Sequence, residues 1–198
     1  MATFAAIVAV AGVAITLGAL VFLHLGRTGL SPVSAAVSSY GISALRSGYR
    51  VATIALGVGA IALGVAITFF LAVPNLPAFL FLLLFGVARL VTSWAPMDAP
   101  GAARTGTGRA HNVLATIFFA SATVAAFLFS ASFAGDPVFG PIAGVSSVLA
   151  WAMAVLAVSV VVTAVVPVAR RVFGLAERLL HLVILLWMTV VAVAVLAR

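Results

Sequence analysis

Glu177 and His181 lie four residues apart, a spacing that sets a carboxylate and an imidazole on one face of a helix, where they can hydrogen-bond or share a metal ion. Asp98 and His111 bring a second carboxylate and a second imidazole to the polar segments nearby. If all four converged, they could hold zinc and activate a water, the chemistry of a membrane-embedded, metal-assisted lipid hydrolase. The same segments carry Arg89, Arg109, Arg178 and Tyr40. The planar guanidinium fork matches phosphate and carboxylate, and an excess of arginine repels a bare cation while attracting an anion. Electrostatics therefore favour an anionic lipid headgroup, or a similar amphiphile, bound by Arg89, Asp98, Arg109, His111, Glu177, Arg178 and Tyr40. The zinc set of Asp98, His111, Glu177 and His181 is the alternative.

Other chemistries find less support. The chain has no cysteine, which removes disulfides, thiolate metal sites and cysteine nucleophiles. The three histidines, His24, His111 and His181, could in principle ligate haem, but the first two fall at helix ends, where a porphyrin would sit half in water. No glycine-rich phosphate loop, nucleophile elbow or His-Glu-x-x-His motif occurs, and no catalytic residue is assigned. A net charge of +7 would suggest nucleic acid in a soluble protein, but these arginines flank apolar runs, so the expected partners are membrane lipids.

The elements that must position these residues are membrane helices. Hydrophobic residues make up 66% of the chain and charged residues 7%, too much apolar surface for a soluble core of this length. Apolar runs and their breakers predict an all-α, polytopic transmembrane bundle, a single domain over 1–198 with six helices near 4–25, 49–73, 76–94, 111–133, 142–166 and 175–197. Pro74-Asn75 with Pro77, the prolines and glycines of 95–108, Gly135-Asp136-Pro137 and Pro167 to Gly174 punctuate them. The amino terminus has no basic stretch before its apolar run and no small-residue cleavage site, so it reads as a retained first helix.

On this topology Arg27, Arg46 and Arg50 flank loop one, Arg89, Arg104 and Arg109 loop three, and Arg170, Arg171 and Arg178 loop five; Arg198 alone falls on the other side. Arginine-rich short loops stay in the cytoplasm, which puts loops one, three and five inside and both termini outside. All basic residues are arginine, which with the Ala, Val and Gly content suggests a GC-rich bacterial genome and hence the inner (plasma) membrane. His24 would end the first helix and His111 open the fourth, so headgroup-level anchoring is the plain alternative for both. Glu177 sits in the first turn of the sixth helix, where the helix dipole favours an acid, and Arg178 can snorkel. Arg89 lies five residues inside its helix, about 7 Å below the end, and must snorkel or find a partner such as Glu177 or Asp98. Thr53, Gly57, Ala60 and Gly64 form a small-residue stripe on helix two that suits close helix packing, within the chain or against a membrane protein partner; a structural subunit of a larger complex is thus a third reading.

Four segments resemble the bacterial family of six-helix membrane proteins known as domain of unknown function 998. They are Ser31-Pro32 through Val37-Ser38-Ser39-Tyr40-Gly41; Phe85-Gly86-Val87-Ala88-Arg89-Leu90 with Trp94-Ala95-Pro96-Met97-Asp98; Thr107-Gly108-Arg109-Ala110-His111; and Gly174-Leu175-Ala176-Glu177-Arg178. The resemblance implies a six-helix membrane fold and no defined activity. The family is in turn distantly similar to eukaryotic six-helix proteins of lipid-anchor remodelling and autophagy. Ser39 stands where the family usually has aspartate, and Ala95 where it usually has an aromatic residue. If that aspartate serves relatives as a ligand or base, this chain lacks it.

Overall fold

The computed structural model describes all 198 residues, Met1–Arg198. Six α-helices make up the bundle: α1 Ala2–Leu25, α2 Arg46–Phe70, α3 Leu76–Thr92, α4 Gly106–Phe133, α5 Ala143–Val165 and α6 Phe173–Leu196. Short 3-10 turns at Val37–Ile42, Gly140–Ile142 and Pro167–Val172 lie in loops one, four and five. Five helices are long and apolar enough to cross a bilayer unaided. The sixth, α3, has 17 residues, or about 25 Å of helix against a hydrocarbon core of about 30 Å. Ser93, Trp94 and Ala95 extend it by a turn through N–H bonds to the carbonyls of Leu90, Val91 and Thr92. The chain is a multi-pass transmembrane helical bundle, as its composition implies.

Two helices, α2 and α4, start three or more residues earlier than their apolar runs. The Thr105 hydroxyl accepts from the Gly108 N–H at 3.0 Å and caps α4, so this helix begins at Gly106 and not at His111. Helix α2 begins at Arg46 and ends at Phe70, three residues before the sequence-based limit. The cap residue Leu71 is extended and Pro74 follows closely, so the helix cannot continue.

Consecutive helices pack side by side, and α6 closes the ring against α1 and α2. Helices α1 and α5 are the least buried of the long spans. Without a hydrophobic effect between helices in lipid, close packing and buried hydrogen bonds hold them together. Phe133 stacks on Phe129 and Phe139 with centroids 6.0 and 4.5 Å away. Trp187 Nε1 donates to Ser146 Oγ at 2.8 Å, and Ser146 shares a 2.6 Å hydroxyl bond with Ser130, which links α6, α5 and α4.

The small-residue stripe of α2 is used within the chain. A β-carbon at Gly57 would lie 2.7 Å from the Gly86 carbonyl of α3, Gly64 faces Phe79 and Leu82, and Thr53 Oγ1 bonds Ser93 Oγ at 2.6 Å. Helix α3 thus covers the face that the sequence offered to a partner.

Loops one and three meet at one end together with the start of α6, which follows loop five. Ser38 Oγ donates to Met97 Sδ at 3.2 Å, and the Leu175 N–H to the Val33 carbonyl at 2.9 Å. Loops two and four meet at the other, where Asp136 accepts from the N–H groups of Ala72 (2.9 Å), Val138 (2.8 Å) and Phe139 (2.9 Å). Burial raises the cost of the Asp136 charge, but these three donors outweigh it and hold the carboxyl below its ordinary range. Arg198 reaches this same end and lies over the ring of Phe70.

Candidate functional site

The polar residues of the arginine-rich end divide into three groups. The first is internal. Arg89 is 3% exposed; it neither snorkels nor reaches Asp98. Its guanidinium carbon lies 4.5 Å from the centre of the Phe118 ring on α4, with Tyr49 of α2 and Glu177 of α6 as its polar neighbours. A guanidinium over an aromatic face gains cation–π attraction that is strongest out of water. Arg89 Nε nevertheless has no hydrogen-bond partner. Glu177 is also buried, and its Oε2 accepts from the Val37 N–H of loop one at 2.7 Å. It therefore pins loop one to α6. Tyr49 and Phe118 are not among the residues singled out from sequence.

The second group lies at the bundle edge between α1 and α6. Arg178 Nη1 donates to the carbonyls of Ala35 (2.7 Å) and Gly174 (2.9 Å), and Nε to His24 Nε2 at 2.6 Å. His24 Nδ1–H donates to the Leu20 carbonyl at 2.7 Å, so each ring nitrogen has one partner. Tyr40 packs on both, its ring 5.6 Å from His24 and 5.9 Å from the Arg178 guanidinium carbon. A β-carbon at Gly174 would collide with the Ala35 carbonyl, so only glycine lets loop one come this close. Arg178 Nη2 is left without a partner.

Below this group runs a groove of about 260 Å³, flanked by Leu17, Val21 and Leu182 and headed by His24, Arg178 and His181. From Leu17 to His24 it follows α1 for about 10 Å, at 1.5 Å per residue. His181 Nδ1–H donates to the Glu177 carbonyl at 2.9 Å, which leaves Nε2 as a lone-pair acceptor, and that atom has no partner either. The Phe119 ring meets His181 edge-on at 5.1 Å.

The third group closes loop three. Asp98 accepts from Thr105 Oγ1 at 2.6 Å and Thr105 N–H at 3.1 Å, and the Thr105 bonds hold its carboxyl below the usual carboxylate range. His111 Nδ1–H donates to the Ala95 carbonyl at 2.7 Å, so the ring fastens α4 to loop three from a buried position. Arg109 is exposed.

A family model described as a protein of unknown function (DUF998) matches residues 10–194, nearly the whole chain. The chain belongs to the DUF998 family. No curated protein and no solved structure gives a significant match. The four DUF998-like segments are the pieces that join at the arginine-rich end: Tyr40, Arg89, His111, Glu177 and Arg178 each cross from one segment to another element. Ser39 Oγ donates to Met97 Sδ at 3.7 Å, and Ala95 meets His111 through its backbone, a contact that any side chain permits.

The seven residues grouped from sequence do not form one pocket. Arg89 and Glu177 are internal, Arg178 and Tyr40 lie beside the groove, and Asp98, Arg109 and His111 belong to loop three. The zinc set is likewise divided: Asp98 is bound to Thr105, Glu177 to Val37 and His111 to Ala95, and no three His, Asp or Glu side chains are grouped to hold one ion. What this DUF998 protein does assemble is an apolar groove ending in a guanidinium, flanked by two imidazoles.

Proposed function

We propose that this DUF998 protein is a lipid-binding protein of the bacterial inner membrane, and that the groove between α1 and α6 takes an anionic amphiphile. The chain would lie along Leu17, Val21 and Leu182, and the headgroup at Arg178 and His24. The observation that carries the reading is Arg178, which lines the apolar groove and whose buried Nη2 is a cationic donor with no partner in the protein. A buried donor without an acceptor costs about 1–3 kcal/mol, which a phosphate oxygen would recover. Nine arginines against two acids at that end supply an attractive field for any anion. Basic pockets between helices at the cytoplasmic side suit anionic headgroups. Loops one, three and five accordingly face the cytoplasm, with both termini outside.

The reading is tested by melting the detergent-purified protein with added phosphatidylglycerol or phosphatidylcholine. Phosphatidylglycerol stabilises the natural chain and has little effect on Arg178→Gln. Equal stabilisation of both proteins would refute the assignment.

A further inference from the structure

Two residues that line the groove each carry a buried polar atom without a partner, the two atoms are of opposite kind, and the order of these residues along the membrane restricts the ligand. Arg178 Nη2 is a donor, while His181 Nε2, in a residue only 3% exposed, is an acceptor because Nδ1 carries the proton bonded to the Glu177 carbonyl. Both residues line the groove. They stand three positions apart on α6, so His181 is deeper by about 4.5 Å.

A lipid that places its phosphate at Arg178 must offer His181 a donor on the tail side of that phosphate. Headgroup hydroxyls lie on the wrong side, and a diacyl glycerol backbone has only ester oxygens at that depth. A free hydroxyl on the glycerol carbon next to the phosphate-bearing one has the required position. The groove is also small, about 260 Å³ against the roughly 300–1,000 Å³ of typical ligand pockets, which suits one acyl chain better than two.

Resting on the lipid-binding reading, we infer that the groove is selective for a single-chain phospholipid with a free glycerol hydroxyl, a lysophospholipid, its phosphate on Arg178 and its hydroxyl donating to His181 Nε2.

The test uses the full-length protein in detergent and three probes, lysophosphatidic acid, its 2-deoxy analogue and diacyl phosphatidic acid, with apparent Kd read by native mass spectrometry titration. Lysophosphatidic acid should bind about tenfold more tightly than the 2-deoxy analogue, as expected for one hydrogen bond to a buried acceptor. It should also bind more tightly than the diacyl lipid. In His181→Phe, which keeps an aromatic ring against Phe119, affinity for lysophosphatidic acid should fall to that of the analogue. Equal affinity of the natural chain for lysophosphatidic acid and its analogue would overturn the hydroxyl contact, and equal affinity for the diacyl lipid the single-chain preference. Neither result touches the anion site, which stands or falls separately on whether Arg178→Gln weakens all three probes. If His181→Phe does not fold, the three constants of the natural chain still decide.

Discussion

Glu177 Oε2 accepts a 2.7 Å hydrogen bond from the backbone N–H of Val37, across 140 positions of sequence. This contact joins the buried Arg89 region to the groove, because Val37 also lines the groove beside Arg178. Loop one is thus held by an acid inside the bundle and by an arginine at its edge.

Glu177→Ala leaves the Val37 N–H without its acceptor in a buried setting, at a cost of about 1–3 kcal/mol. Hydrogen exchange at Val37 and its neighbours should accelerate while α5 remains protected. Unchanged exchange in loop one would remove Glu177 as its anchor.

Arg89 and Glu177 are both buried and lie in the same polar neighbourhood inside the bundle, so their substitutions should not add. Arg89→Met and Glu177→Gln should each destabilise, and the double variant should lose less than the sum by about 0.5–3 kcal/mol. Chemical unfolding in detergent measures this coupling. Strict additivity would mean that the two side chains act independently.

At the opposite end, Asp136→Ala frees three backbone N–H groups and should lower stability at neutral pH by about 1–3 kcal/mol. The Asp136 carboxyl is held below its ordinary value, so its contribution is fully present above the unfolded-state pKa and disappears as pH falls through the lower folded-state value. The gap between natural chain and variant, followed by thermal melting, should close in that acid range and not above it.

Reporter fusions at the carboxyl terminus check the orientation. A periplasmic reporter should be active there and a cytoplasmic one silent. The reverse pattern would invert the assignment of all three arginine-rich loops.

The helices were legible from sequence because 66% apolar content leaves few alternatives and the breakers are prolines and glycines. The gathering of nine arginines at one end followed from counting loops. Arg89 was recognisable as a residue in need of company, since a cation one turn below a helix end must pair or snorkel. Its company was not recognisable: Phe118 and Tyr49 come from helices whose rotation only packing sets, and each looks like an ordinary apolar or interfacial residue. Asp98 stands apart from Glu177 and His181 for a reason readable in the sequence. Thr105 with Gly108 three residues on is a helix-capping pattern, and Asp98 is spent on that cap. The groove depends on α1 and α6, the two ends of the chain, lying side by side, a tertiary fact with no local signal. The four-residue spacing suggests a side-chain pair of His181 with Glu177, whereas the bond runs from the ring to the Glu177 backbone carbonyl.

Native mass spectrometry of the gently extracted natural chain, Arg178→Gln and Arg109→Gln tests the central claim most directly, because Arg109 carries the same charge on an exposed surface away from the groove. The natural chain and Arg109→Gln should retain a bound anionic phospholipid, and Arg178→Gln should lose it. Equal retention in all three would contradict the account and leave the arginines as anchors in the membrane surface.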